Sequence, residues 1–84
     1  MHGRSPRAPL HPLHRIAGVW ALRAIRACAR RDEATWRESV RRRDAALQAA
    51  LAAGVDPDVL ACGTPGVSHL EVQALLSAAH PRSP

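Results

Sequence analysis

The sequence predicts an all-α protein: a small helical domain with a C-terminal helix-turn-helix-like unit and a long or broken Arg-rich N-terminal helix. Three observations point there. Apolar residues recur three and four apart along most of the chain, the spacing that lines one face of a helix. No Gly or Pro stands between Trp20 and Gly54. The apolar content, 46% of the chain, is drawn mostly from Ala, Leu and Val, with two Trp and neither Phe nor Tyr to build aromatic strands. Eighty-four residues allow one small domain whose core would be thin without a partner, so oligomerisation is expected.

Residues 1–13 carry Arg, His and Pro without periodicity and read as a disordered leader. In a gene of high GC content such a leader is also what a start codon set too far upstream would append. From His14 to Arg31 a helix is expected, with Ile16, Val19, Trp20, Leu22 and Ile25 on a broad apolar side that packs on the rest of the domain and Arg15, Arg23, Arg26 and Arg30 elsewhere, binding at a membrane surface being the alternative. This Arg-rich helical segment extends over 14–42. The pattern then continues through Trp36, Val40, Leu47 and Leu51. A single long helix is permitted, and so is a break at Arg30-Arg31-Asp32-Glu33 with Asp32 capping a second helix.

The domain proper is expected over 43–80. Leu47 and Leu51, four apart with Ala50 beside them, end at Gly54, which suits a left-handed stop. Asp56-Pro57 is a fresh start signal, because Asp caps well and Pro tolerates the first helical position. Val59, Leu60 and Ala61 make a short helix, closed by the turn-forming run Gly63-Thr64-Pro65-Gly66. Ser68 and Glu71 form a capping box, each side chain taking up a backbone N–H of the other. Val72, Leu75 and Leu76 then mark the buried face of the last helix, and Pro81 stops it ahead of an 81–84 tail. Leu47, Leu51, Leu60, Val72 and Leu75 are the expected core.

The stretches Ala52-Ala53-Gly54-Val55-Asp56-Pro57-Asp58-Val59-Leu60-Ala61, Gly66-Val67-Ser68 and Val72-Gln73-Ala74-Leu75-Leu76 together resemble the helix-turn-helix of bacterial, actinobacterial-type DNA-binding proteins. The resemblance covers roughly Arg43 to His80. It implies a supporting helix, a short helix and a recognition helix opened by Gly-Val-Ser. It also implies that His69, Leu70, Glu71, Gln73, Ala74 and Ser77 face a groove. Two departures stand out. Four residues, Cys62 to Thr64 and Pro65, separate Ala61 from Gly66 where the family usually has three. The reading positions lack Arg, and only Gln73 is of a type that reads bases well.

The net charge of +5 conceals an asymmetry. Residues 1–43 hold eleven Arg against Asp32, Glu33 and Glu38, whereas 44–84 hold Arg82 against Asp44, Asp56, Asp58 and Glu71, so the halves carry +8 and −3. All twelve basic residues are Arg, which fits a high-GC genome before it indicates a function. The basic footprint of a nucleic-acid binder therefore lies upstream of the reading helix, and contacts to DNA would be mostly electrostatic. Arg41, Arg42 and Arg43 sweep most of one helical turn and could grip phosphate, although a charge run is also what a solvated helix face looks like.

Chemistry is sparse. Cys28 and Cys62 stand far apart with no second Cys near either, so they read as small buried apolar residues rather than zinc ligands. His11 and His14 flank Pro12 with no acid nearby. Ser68 has a cap to make and no base beside it. No enzyme, cofactor or metal site is expected, the long apolar run of a membrane span is lacking, and a cytoplasmic location is expected. Two functions remain, the first leading on the resemblance and the second its alternative. In the first, a DNA-binding accessory or regulatory protein, Ser68, His69, Leu70 and Gln73 approach a groove while Arg41, Arg42 and Arg43 hold phosphate. In the second, a protein-interaction or oligomerisation module, the Leu70 side and the Trp20/Trp36 surface bind the chain itself or another protein. An exposed Leu70 separates them, because it suits a protein partner better than a thymine methyl.

Overall fold

The computed structural model describes residues 10–79, and within them the chain is all-α. Four helices follow one another: α1 (Pro12–Ala29), α2 (Glu33–Ala52), α3 (Pro57–Gly63) and α4 (His69–Ala79). The leader up to residue 9, His80, the stop at Pro81 and the 81–84 tail lie outside the described residues. The first helix begins at Pro12, inside the stretch read as a leader. His11 is its N-cap, with Nδ1 accepting from the Leu13 N–H at 3.1 Å, and Pro12 takes the first position, where no N–H is needed.

The break between α1 and α2 is real and falls at Arg30–Asp32. Arg30 caps α1 and Arg31 turns left-handed at φ 59°. The N–H groups of Arg31 and Asp32 then return to the carbonyls of Cys28 and Ala27 at 3.1 and 2.9 Å. That double return satisfies the helix's last carbonyls. Asp32 also opens α2: Oδ1 accepts from the Thr35 N–H at 3.1 Å, and the Thr35 hydroxyl donates to Oδ2 at 2.7 Å. The same termination recurs at the end of α2, where Gly54 at φ 94° and Val55 donate to Leu51 and Ala50. The 42/43 division read from the sequence thus falls inside one continuous helix.

The α1–α2 hairpin packs through small side chains. Ala17, Ala21, Ala24 and Ala27 form the buried stripe of α1; Ser39, Ala46 and Ala50 are buried on α2, and Ala17 shares a core cluster with the last two. This corrects the expectation that Ile16, Val19, Leu22 and Ile25 would face the core. All four are about half exposed, and the alanines are buried instead. The reason is steric. Two long antiparallel helices approach more closely over a methyl seam, and dispersion between their backbones and neighbouring side chains rewards the approach.

The larger core lies at the other end of α2. Leu47, Ala50 and Leu51 join Leu60 and Ala61 of α3, Val67, Val72 of α4 and Ala17 of α1, with Leu13, Val55, Leu75 and Leu76 packed at the edge. Four of the five expected core residues are buried, and Leu75 is partly so. Asp56 caps α3 by accepting from the Asp58 N–H at 2.8 Å. Ser68 and Glu71 make the expected reciprocal pair, at 3.0 Å from the Ser68 N–H and 3.1 Å from the Glu71 N–H.

Candidate functional site

Arg41, Arg42 and Arg43 do not share one surface: the first two are exposed and the third is buried. Arg41 and Arg42 both pair with Glu38, and the Arg42 guanidinium also stands 5.0 Å from the centre of the Trp20 ring. Hydrogen bonding to Arg42, and then to Arg41, holds the Glu38 carboxyl below its usual range. Arg43 points inward. It is buried, with its guanidinium 2.9 Å from Asp44 and 3.5 Å from Glu71, so it ties α2 to the first turn of α4.

On α4 the expected groove-facing residues do lie together on the outside. Ser68, His69, Leu70 and Gln73 are all exposed, and so are Ala74 and Ser77. Ser68 is engaged as the cap. His69 Nε2 is 3.8 Å from Asp58 of α3. Leu70 is 82% exposed, the most exposed large apolar residue described. Asp56, Asp58 and Val59 at the start of α3 are exposed too, and Asp58 is the residue that His69, next to Leu70 in the chain, approaches.

The free positive charge sits elsewhere. Arg15, Arg23, Arg26 and Arg30 on α1, and Arg31 beyond it, are exposed and make no ion pair among the described residues. Arg23 also lies 4.8 Å from the Trp20 ring centre. At 3.6 residues per turn, Leu22, Arg15, Arg26, Val19, Arg30 and Arg23 share one sector of about 100°, opposite the alanine stripe. Sequence reasoning missed this face because it assigned the large apolar residues to the core. The signal was present in the four alanines at i, i+4, i+7 and i+10.

A cleft of about 610 Å³ runs between the α1–α2 hairpin and the start of α4. Ile25, Trp36 and Val40 line its apolar part, and Arg43, Asp44 and Glu71 its polar end. Cys28, also on its wall, and Cys62 are both exposed free thiols, so neither is the small buried residue the sequence suggested. Among the described residues no three His, Cys, Asp or Glu side chains converge as metal ligands, and no helix is long and apolar enough to cross a membrane.

Among the described residues, four helices make a small domain whose outer faces present exposed apolar and charged side chains. Compared with family models, curated proteins and solved structures, the chain matches none.

Proposed function

We propose that this chain is a protein-interaction and oligomerisation module that retains a helix-turn-helix-like order in α2, α3 and α4. Leu70 carries the reading. An apolar side chain 82% exposed in the first turn of α4 does nothing for the fold. Its burial against a partner would add the transfer free energy that the monomer forgoes. The acidic surroundings agree, since Asp58 and Glu71 beside the would-be reading positions oppose the approach of a phosphate backbone. Burial of Arg43, and the pairing of Arg41 and Arg42 with Glu38, also weaken the support for a phosphate grip by all three.

Sedimentation equilibrium tests this reading. The wild-type chain should associate with rising concentration, and Leu70→Gln should weaken association while leaving the helical circular dichroism spectrum unchanged.

DNA binding is the second reading, favoured by the unpaired arginines of α1 together with exposed His69 and Gln73. Duplex titrations at about 50 and 200 mM salt decide it, because a protein that neutralises several phosphates loses orders of magnitude in affinity over that interval. Steeply salt-dependent binding by a chain that stays monomeric would overturn the interaction module.

A further inference from the structure

The charge distribution assigns the mode of self-association. We infer that copies of this chain associate head to tail, the outer face of α1 in one copy docking on the α3–α4 patch of the next. This rests on the interaction-module reading and specifies its geometry.

The outer sector of α1 combines two exposed apolar side chains, Val19 and Leu22, with Arg15, Arg23, Arg26 and Arg30. None of these arginines forms an ion pair among the described residues, and the acid nearest their sector is Asp32, which lines a small pocket with Arg23, Arg26 and Arg30. The α3–α4 patch is its counterpart in kind. Val59 and Leu70 are exposed, and Asp56 and Asp58 supply negative charge. The 3.8 Å approach of His69 to Asp58 joins the two helices where these residues stand. Both surfaces therefore present apolar area beside charge, arginine on α1 and aspartate on α3, so the predominant signs are opposite.

The two surfaces cannot meet within one chain. The alanine stripe of α1 is committed to α2, which leaves the arginine sector facing away from the body that carries α3 and α4. Only another molecule can reach it. A two-fold symmetric contact through α1 would set the four arginines of each copy against one another, and like-charge juxtaposition at an interface is strongly unfavourable. A symmetric contact through α3–α4 would similarly oppose Asp56 and Asp58 to themselves. The pairing that satisfies both surfaces is heterologous. Such contacts do not exhaust themselves at two copies, so assembly proceeds to a ring or an open chain.

Two variants of the full chain test this, all at exposed positions so that the fold is retained. Arg15→Glu/Arg26→Glu reverses the α1 face, and Val59→Gln/Leu70→Gln removes the apolar part of the α3–α4 patch. Circular dichroism checks that each keeps the wild-type helical signal. In sedimentation velocity the wild type should form species that grow with concentration and recede as salt is raised. Each variant alone should self-associate at least about tenfold more weakly. An equimolar mixture should form a heterodimer and stop there, because each variant supplies the face the other lacks.

Loss of assembly in one variant only would mean a symmetric contact through that face, overturning the head-to-tail mode while leaving the interaction module in place. Absence of a heterodimer in the mixture would overturn it in the same way. A wild-type chain monomeric up to about 1 mM overturns the inference. If that monomer also binds duplex DNA with a steep salt dependence, the interaction module falls with it.

Discussion

His14 of α1 lies directly against Gly63 at the end of α3. A Cβ placed on Gly63 would stand 2.8 Å from His14 Cε1 and 3.1 Å from Nε2. His14 is 2% exposed, so the imidazole is enclosed by its neighbours. The glycine is therefore required by a neighbour remote in sequence, since its own backbone is helical and does not need left-handed freedom.

Gly63→Ala should accordingly destabilise the protein by about 1–3 kcal/mol, the usual cost of overpacking a closed site. His14→Ala should be destabilising too, through a cavity. The double variant should cost less than the two single changes added together, because each relieves the strain or void of the other. Urea unfolding of all four chains measures the coupling, and strict additivity would show that the two residues do not press on each other.

Arg31 and Gly54 occupy equivalent places after α1 and α2, at φ 59° and 94°. An L side chain pays a steric penalty in that region that glycine does not. Arg31→Gly should therefore stabilise the protein by about 0.5–1 kcal/mol, and Gly54→Ala should destabilise it by about 1 kcal/mol. Thermal melts of the two variants should shift in opposite directions.

The alanine seam predicts an inversion of the usual size rule. Ala21→Leu, at a site 1% exposed, should force α1 off α2 and cost about 1–3 kcal/mol. Leu22→Ala, one residue away and half exposed, should cost well under 1 kcal/mol. Leu47→Ala in the main core should cost about 2–5 kcal/mol, and Val72→Asp should unfold the chain by burying an unpaired charge.

Among the three consecutive arginines, Arg43 should matter most to stability. Arg43→Gln removes a buried guanidinium from between Asp44 and Glu71 and should lower the melting temperature. Arg41→Gln and Arg42→Gln act on exposed pairs that share Glu38 and should leave it nearly unchanged.

Acid should lower the stability of the fold, in part at the junction of α1 and α2. The Thr35 hydroxyl, followed by the Thr35 backbone N–H, holds the Asp32 carboxyl below its ordinary range. Folding therefore favours the ionised form. The stabilisation is fully present above the ordinary carboxylate pKa and is lost as pH falls through the depressed folded value. Glu38, lowered chiefly by its bond from Arg42, acts in the same direction. Melting temperatures measured from pH 6 down to about pH 2 should fall, and the fall should be shallower in Asp32→Asn.

The sequence by itself determined the local structure of this protein. Asp32, Asp56-Pro57 and Ser68 with Glu71 start α2, α3 and α4 where their short-range hydrogen bonds allow, and Gly54 stops α2. Leu47, Leu51, Leu60 and Val72 converge because one-turn spacing puts them on single faces. His11 was the local signal left unread, a histidine serving as an N-cap. Tertiary structure decided which face of α1 is inside. Periodicity alone favours burying Ile16, Val19, Leu22 and Ile25, but it carries no information about how closely two helices approach. The methyl seam of Ala17, Ala21, Ala24 and Ala27 permits the closer packing, and the larger side chains are left outside with the arginines. The same global choice turned Arg43 inward and left Leu70 outside. Whether a charge or an apolar group meets solvent depends on neighbours supplied from other helices.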